Sequence, residues 1–324
     1  MEVKIIRATP ENVTKAYRAI YELMYENARV SSAKISRKIG TGPKNTSIWV
    51  KDAFEQGYIT RPQIRKRSYA NLKQYMFFVD CKDPLESYLQ YSEDQNVAYH
   101  AVMDGFANLW VTSLDKMIIQ GNILVGGPVS DMHVSFAPPH SWEETKKIMW
   151  EKVEKFDPEQ YEPKGIIQTH YDEQIEWDEE DEILYRYFKY DLRKPLNPLI
   201  KKGHTKNKIF NWLKKLPQCC SIITKYYPQT RAAYDPYIFI FETDYEDFII
   251  ELFSEMPSSS LFFRVADTLV LFIHVERELS RKVDSDITDV SQLYIPLLTR
   301  SLVKKGIVKS RAHAIVNYHW RKDI

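Results

Sequence analysis

The stretch Ser31–Arg67 reads SSAKISRKIGTGPKNTSIWVKDAFEQGYITRPQIRKR, and it decides the fold of the part of the chain around it. Its first half predicts two short helices, because Gly40 favours a left-handed end to the first and Pro43 favours the start of the second. Gly57 marks the end of the second helix, and an extended segment follows it. Helix, turn, helix and extended segment in this order are typical of a winged helix-turn-helix.

Positive charge is concentrated in this stretch. From Arg29 to Tyr75, eleven Lys and Arg residues stand against two acidic residues, whereas the whole chain of 324 residues has a net charge of only +1. A local basic footprint on a helix-turn-helix pattern most commonly indicates nucleic-acid binding. We therefore expect double-stranded DNA as the partner. A solvated helical hairpin with a structural role is the alternative.

The same order of elements returns in the second half of the chain. A second recognition helix is predicted from Thr205 to Leu216, inside a segment, 193–231, that has ten basic residues and no acidic one. The offset between the halves is 163 residues both for Trp49 and Trp212 and for the two predicted turns at Asp104 and Asp267. A constant offset of this kind indicates an internal duplication.

After each helical module, the spacing of apolar residues changes from a helical to a strand period. The predicted fold class is α+β, a tandem repeat of winged helix-turn-helix and ferredoxin-like βαββαβ modules. In the first repeat, the last strand is expected at 132–136. The predicted domains are winged helix-turn-helix 1 (1–68), ferredoxin-like domain 1 (69–140), a helical and acidic linker (141–176), a degenerate winged helix-turn-helix 2 (177–231) and ferredoxin-like domain 2 (232–324).

The predicted DNA contacts lie on the open faces of the two recognition helices and on the segment that follows the first. Polar and basic side chains in such places contact base edges and phosphates. In the first module they are Ser32, Lys34, Lys44, Asn45, Ser47, Trp49, Lys51, Arg61, Arg65, Lys66 and Arg67. In the second module they are Thr205, Lys206, Asn207, Lys208, Asn211, Trp212 and Lys215. For the two tryptophans, packing into the domain is the alternative.

The first half resembles the leucine-responsive regulatory protein/AsnC transcription regulators. Ala28-Arg29-Val30-Ser31 is similar to their motif before the second helix, 43–50 to their recognition helix, and 56–59 to their exit into the wing. The resemblance implies a sequence-specific transcription regulator with an oligomerising ferredoxin-like domain, and we expect no enzymatic activity. Asp104 and Asn108 replace the Gly and Asp with which that family holds an amino-acid effector, so the effector is unknown and no amino acid is expected.

An enzyme is the alternative from a different class. The order of a helix-turn-helix domain and a ferredoxin-like domain resembles that of the siroheme decarboxylases. Residues 192–196 (LRKPL) are similar to their sequence before the second helix. That resemblance implies histidines that converge on a tetrapyrrole. The eight histidines show no metal-binding spacing such as HExxH, although His313 and His319 fall on one face of the last predicted strand. A protein–protein adaptor whose winged helices do not bind DNA is a third possibility.

The remaining expectations come from composition. The three cysteines lack CxxC spacing, which favours neither a disulfide framework nor a zinc site. No apolar run approaches the roughly 18 residues that a membrane span needs. We expect a cytoplasmic protein without cofactor, metal or membrane partner, and a possible homodimer formed through the ferredoxin-like domains.

Overall fold

The computed structural model describes residues 10–277 and 291–321, with side chains over 12–277 and 295–317. In chain order the helices and strands are α1 (Pro10–Glu26), α2 (Ser32–Ile39), α3 (Pro43–Glu55), β1 (Gln63–Lys66), β2 (Tyr75–Asp80), α4 (Pro84–Glu93), β3 (Val97–Gly105), β4 (Leu109–Ser113), β5 (Asn122–Pro128), β6 (His133–Val134), α5 (Trp142–Lys155), α6 (Glu179–Phe188), α7 (Asn197–Lys201), α8 (Lys206–Cys219), β7 (Cys220–Ile223), β8 (Tyr234–Glu242), α9 (Glu246–Phe253), β9 (Leu261–Val265), β10 (Thr268–Glu276), α10 (Ser291–Lys304) and β11 (Ser310–Arg321). None of the helices in these ranges has the length and apolar character that crossing a membrane requires.

The chain divides into two compact units, each built from one segment of each half of the sequence. Unit 1 takes the chain up to Arg65 together with Trp177–Ala232, and unit 2 takes Lys66–Glu176 together with the chain from Ala233 onward. Both helix-turn-helix modules therefore lie in unit 1, and both ferredoxin-like repeats lie in unit 2. The division into five domains stays a prediction.

The helix ends in unit 1 follow from local sequence chemistry. Ser31 caps α2 by accepting a hydrogen bond from the Lys34 amide, and Gly40 ends that helix at a φ of 68°. Pro43 occupies the first turn of α3, where its missing amide hydrogen costs nothing. Thr205 caps α8 in the same way as Ser31 caps α2. Helices α3 and α8 are the two helices that were predicted as recognition helices.

The segments that follow the two recognition helices pair with each other. Strands β1 and β7 form a two-stranded sheet. The pairing continues beyond them, because the Thr60 amide donates to Lys225 O at 2.9 Å and the Tyr227 amide donates to Tyr58 O at 2.8 Å. Each extended segment thus uses its backbone groups on its counterpart. The segment after α3 is therefore paired, and it is not a free wing that presents Arg65, Lys66 and Arg67.

Unit 2 is built on one sheet of nine strands in the described residues, in the order β5-β2-β4-β3-β11-β8-β10-β9-β6. Its first four strands and the next four each repeat the strand order of a ferredoxin-like unit, which confirms the predicted fold class. The two repeats join where β3 pairs with β11 in antiparallel register. Gly105 lies at this seam, and a Cβ there would lie 2.4 Å from His313 O, so the backbones approach closely.

The first repeat differs from the predicted arrangement. Its last strand is β5, and the stretch expected to form that strand, 132–136, contains only the short β6, which pairs with β9 of the other repeat. The chain passes from β4 to β5 without the second helix of a complete ferredoxin-like unit. On the second repeat, α5, α9 and α10 cover one face of the sheet, with Met149 and Val153 of α5 fully buried. Helix α5, predicted as part of a linker, is therefore part of the core of unit 2.

Candidate functional site

The exposed face of α3 carries four of the side chains that were predicted to contact DNA. Lys44, Asn45, Ser47 and Lys51 are exposed, while Thr46 and Ala53 face the interior. Within α3, Lys51 pairs with Glu55 at 3.7 Å, which is an exposed and weak ion pair. Trp49 is half-buried, with its ring centroid 6.0 Å from that of Tyr17.

The two predicted contacts on α2 have different surroundings. Ser32, the first residue of the helix, is exposed. Lys34 lies 4.0 Å from the Glu26 carboxylate.

More of the predicted DNA contacts on α8 than on α3 are buried or paired within the protein. Trp212 was predicted to face DNA, but it is only 2% exposed and stacks on Phe188 at 5.8 Å. Lys208 pairs with Asp178 at 3.1 Å, and Lys215 pairs with Asp181 at the same distance. These acids precede the segment whose sequence contains no acidic residue. The other predicted side chains, Thr205, Lys206, Asn207 and Asn211, are exposed, and Thr205 serves as the cap of α8.

Three of the basic residues after α3 contact other side chains of the protein. Arg61 pairs with Asp191 at 3.0 Å, and the Arg65 guanidinium lies 5.7 Å from the centre of the Tyr190 ring. Lys66, at the end of β1, is half-buried. Arg67 pairs with Asp131 in unit 2. The predicted grip of Arg65, Lys66 and Arg67 on a phosphate backbone is not supported by this placement.

Arg67 belongs to a polar group that we call the Arg67–His170 cluster, formed by Arg67, Asp131, His170 and Glu173. Arg67 Nη1 lies 2.8 Å from Asp131 Oδ2, and His170 Nε2 lies 3.3 Å from the same oxygen. On the opposite side of the ring, His170 Nδ1 lies 3.0 Å from Glu173 Oε1. The imidazole therefore has a carboxylate at each nitrogen.

The surroundings of this cluster hold it in place. The Tyr69 ring stacks on His170 with a centroid distance of 4.9 Å, and the Asp131 amide donates to Gln168 O at 3.0 Å. The Asp131 side chain is 12% exposed, whereas that of Glu173 is 64% exposed. Burial raises the pKa of Asp131 above its ordinary value, against the opposing effect of the Arg67 and His170 charges.

Two buried atoms of the cluster lack hydrogen-bond partners among the described residues, namely Asp131 Oδ1 and Arg67 Nε. Leaving a buried polar atom unpaired costs about 1–3 kcal/mol. Such atoms in a native protein call for an explanation, and a catalytic or ligand-binding role is one of the known ones.

The other histidines occupy separate environments. His100 lies among the rings of Tyr88 and Tyr91, and His204 pairs with Glu180 at 2.8 Å. Burial lowers the pKa of His133 and, together with the charge of Arg311, that of His313. The histidine that was predicted to share one face of the last strand with His313 is residue 319. The side chain of residue 319 lies outside the described ones.

In the first repeat, Asn108 fastens the turn after β3 to the end of β2. Asn108 Nδ2 donates to Cys81 O at 2.7 Å and to Asp80 Oδ1 at 3.1 Å, while its Oδ1 accepts from the Cys81 amide. Within 10–277 and 291–321, no group of three His, Cys, Asp or Glu side chains is arranged to hold a metal ion.

Comparison with known proteins gives a likeness of fold. No protein-family model matches the chain, and no curated protein does. Among solved structures, the siroheme decarboxylase NirDL matches with a TM-score of 0.48, and the same protein in co-complex with an iron-uroporphyrin III analogue matches with 0.46. Each match covers 95% of this chain and 92% of the other, at 12% identity. Both structures are of an enzyme, whereas we expected no enzymatic activity for this chain.

Proposed function

We propose that unit 2 carries an acid–base site at the Arg67–His170 cluster and that the chain acts there on a carboxylate-bearing substrate. The observation that supports this proposal is the placement of His170 between the exposed Glu173 and the buried Asp131, whose Oδ1 has no hydrogen-bond partner in the described part of the chain. The resemblance of the sequence to the siroheme decarboxylases makes a carboxylated tetrapyrrole the substrate class to test first.

The chemistry requires a route for protons, and the cluster offers one. When a carboxylate leaves as CO₂, a proton takes its place on carbon. A proton taken up from solvent at Glu173 passes along the His170 ring to Asp131, whose pKa is raised by burial. Arg67, beside Asp131, supplies the positive charge that holds an anionic group of the substrate.

A titration with iron-uroporphyrin III, followed by visible absorption, tests this function. We expect a saturable shift of the absorption band and loss of carboxyl groups by mass spectrometry. Replacing a general acid typically lowers a rate by about 10²–10⁴-fold, so His170→Asn and Asp131→Asn are expected to bind the tetrapyrrole but to turn it over that much more slowly. His204→Asn is the control, because His204 pairs with Glu180 in unit 1. Absence of any absorption change, or equal turnover in all three variants, contradicts the proposal.

A second candidate function is DNA binding by the first module, favoured by the exposed polar and basic face of α3. Lys44 and Asn45 reach solvent from its first turn, whereas on α8 Lys208 and Lys215 are paired with acids and Trp212 is buried. Selection of bound fragments from random DNA identifies the site. In a fluorescence titration on that site, the double variant Lys44→Ala/Asn45→Ala is then compared with its counterpart Lys206→Ala/Asn207→Ala.

We expect the α3 variant to lose base preference, at about 1–3 kcal/mol for each good bidentate contact, and the α8 variant to change little. If both double variants lose the same amount of base preference, base recognition by α3 alone is contradicted. If no fragment is selected, the DNA function fails while the acid–base function stands.

A further inference from the structure

A cavity of about 650 Å³ opens in unit 2 between α5, α9 and the chain that returns from α5. Its volume falls within the range of about 300–1,000 Å³ that is typical of small-molecule sites. None of its lining residues belongs to the Arg67–His170 cluster or to the two recognition helices. Its chemistry therefore needs a separate explanation.

Aromatic rings form one wall of this cavity. The rings of Phe156 and Phe248 lie 4.0 Å apart, and the Tyr161 ring stands edge-on to Phe156 at 6.2 Å. The Tyr245 ring is perpendicular to the Tyr161 ring, with 5.1 Å between the two ring centroids. These rings are half-buried and not fully covered by the protein. The faces of aromatic rings carry a negative quadrupole and attract a cation.

The charges of the lining have the same sign as those faces. Five carboxylates line the cavity, those of Glu151, Asp157, Glu162, Asp247 and Glu251, against three lysines. Each lysine already has an acidic partner: Lys152 contacts Glu255 at 2.6 Å, Lys155 contacts Glu151 at 3.3 Å, and Lys164 contacts Glu251. An anion would meet this surplus of negative charge, so the lining selects against it.

We propose that this cavity binds an organic ammonium ion of the polyamine class. The aromatic wall takes the cationic head and its methylene chain, since a positive charge over an aromatic face is attracted and the chain covers apolar surface. Two exposed carboxylates of the lining, those of Asp157 and Glu162, pair with the further ammonium groups of a polyamine. A metal cation would use the carboxylates but gain little from the rings, and a neutral chain would gain from the rings alone.

Isothermal titration with spermidine tests the site. We expect saturable binding that is weakened by Phe156→Leu, which keeps apolar bulk but removes the π face, by about two- to fivefold. Glu162→Gln is expected to weaken binding too, because it removes one carboxylate of the rim. Phe210→Leu, on the exposed surface of α8 in unit 1, is the control and leaves the affinity unchanged. Melting curves confirm that each variant is folded.

Two further ligands separate the proposal from weaker explanations. With 1,8-octanediol, a chain of similar length without charge, we expect no saturable binding. With Mg²⁺, we expect partial competition that is indifferent to Phe156→Leu. Spermidine binding that Phe156→Leu leaves unchanged, or no saturable binding of spermidine at all, overturns the proposal.

Discussion

Arg29 and Arg193 each donate hydrogen bonds to the backbone of the module that contains the other. Arg193 Nη1 donates to the backbone oxygens of Ala28 and Val30 at 2.9 Å each, and Arg29 Nη1 donates to those of Leu192 and Lys194. Burial lowers the pKa of both guanidinium groups, although arginine stays charged in proteins. The contacts between the two halves of unit 1 are therefore reciprocal, like those between two identical subunits related by a twofold axis.

The first prediction concerns this reciprocal contact. Arg193→Ala leaves the oxygens of Ala28 and Val30 without their charged donor, so we expect the free energy of unfolding to fall by about 1.5–3 kcal/mol. Arg29→Ala is expected to behave similarly. Urea denaturation measures both. Arg186→Ala, which removes an exposed pair with Glu182, is the control and is expected to stay within about 0.5 kcal/mol. Equal effects for Arg193 and Arg186 would show that the contact does not stabilise the fold.

The second prediction concerns pH and the start of α6. Asp178 accepts a hydrogen bond from the Asp181 amide at 2.7 Å, and this bond, with the Lys208 ammonium, lowers the pKa of Asp178. A group whose pKa is depressed in the folded state stabilises it above the pKa of the unfolded state, and this contribution is lost as pH falls through the folded value. Asp178→Ala should therefore destabilise the protein by about 1 kcal/mol at pH 7.

The difference between Asp178→Ala and the natural protein should shrink once the pH falls below 3.8, the ordinary pKa of this group. Asp178→Asn keeps the capping acceptor and is expected to lose little stability at pH 7, without the acid dependence. Urea titrations at several pH values make the comparison. If the difference in unfolding free energy between Asp178→Ala and the natural protein stays constant down to low pH, the ionised carboxylate is not the source of that difference.

The third prediction separates the two tryptophans. Trp212 fills the core of its module, so Trp212→Ala should cost about 3–5 kcal/mol, close to the limit of what a domain tolerates. Trp212→Phe keeps the ring contact with Phe188 and should cost less. Trp49→Ala, at a half-buried position, should destabilise clearly less than Trp212→Ala. Chemical denaturation orders the three, and a larger loss for Trp49 than for Trp212 would contradict the inward packing of Trp212.

The fourth prediction concerns the seam between β3 and β11. Gly105 has a φ of 148°, and Ala314 Cα lies 2.6 Å from where its Cβ would be. Gly105→Ala should therefore cost more than backbone strain alone, which is about 1–3 kcal/mol. Gly165→Ala is the matched control, because Gly165 has a φ of 66° and nothing within 4 Å of its Cβ position. If melting temperatures fall equally in both variants, close approach at the seam is not the cause.

Local patterns predicted the elements of this fold well and their associations less well. Gly40 and Pro43 act through backbone geometry close in sequence, and α2 ends and α3 begins where these residues predict. The pairing of β1 with β7 and of β6 with β9 depends on contacts between distant segments, and no local pattern encodes it. The duplication, visible as a constant offset, was the one sequence signal for such long-range symmetry.

The candidate site was harder to find for the same reason. Arg67, Asp131 and His170 come from three places in the sequence, and none has a motif around it. Counting charge by sequence segment also misled the prediction for α8. The acids that neutralise Lys208 and Lys215 lie at 178 and 181, on another helix, so the local surplus of positive charge is smaller in space than in sequence.

The pairing of the segments after α3 and α8 sets a condition on the synthesis of the protein. The backbone partners of residues 57–64 are supplied by residues 189–231, more than a hundred positions later in the chain. While the ribosome is still translating the second half, the first helix-turn-helix module has an unpaired strand edge, which is a site for wrong pairing with other chains. The slowest and most aggregation-prone stage of folding should therefore fall before residue 231 has emerged, and truncations that end before β7 should be insoluble even though they contain the whole of α1 to α3.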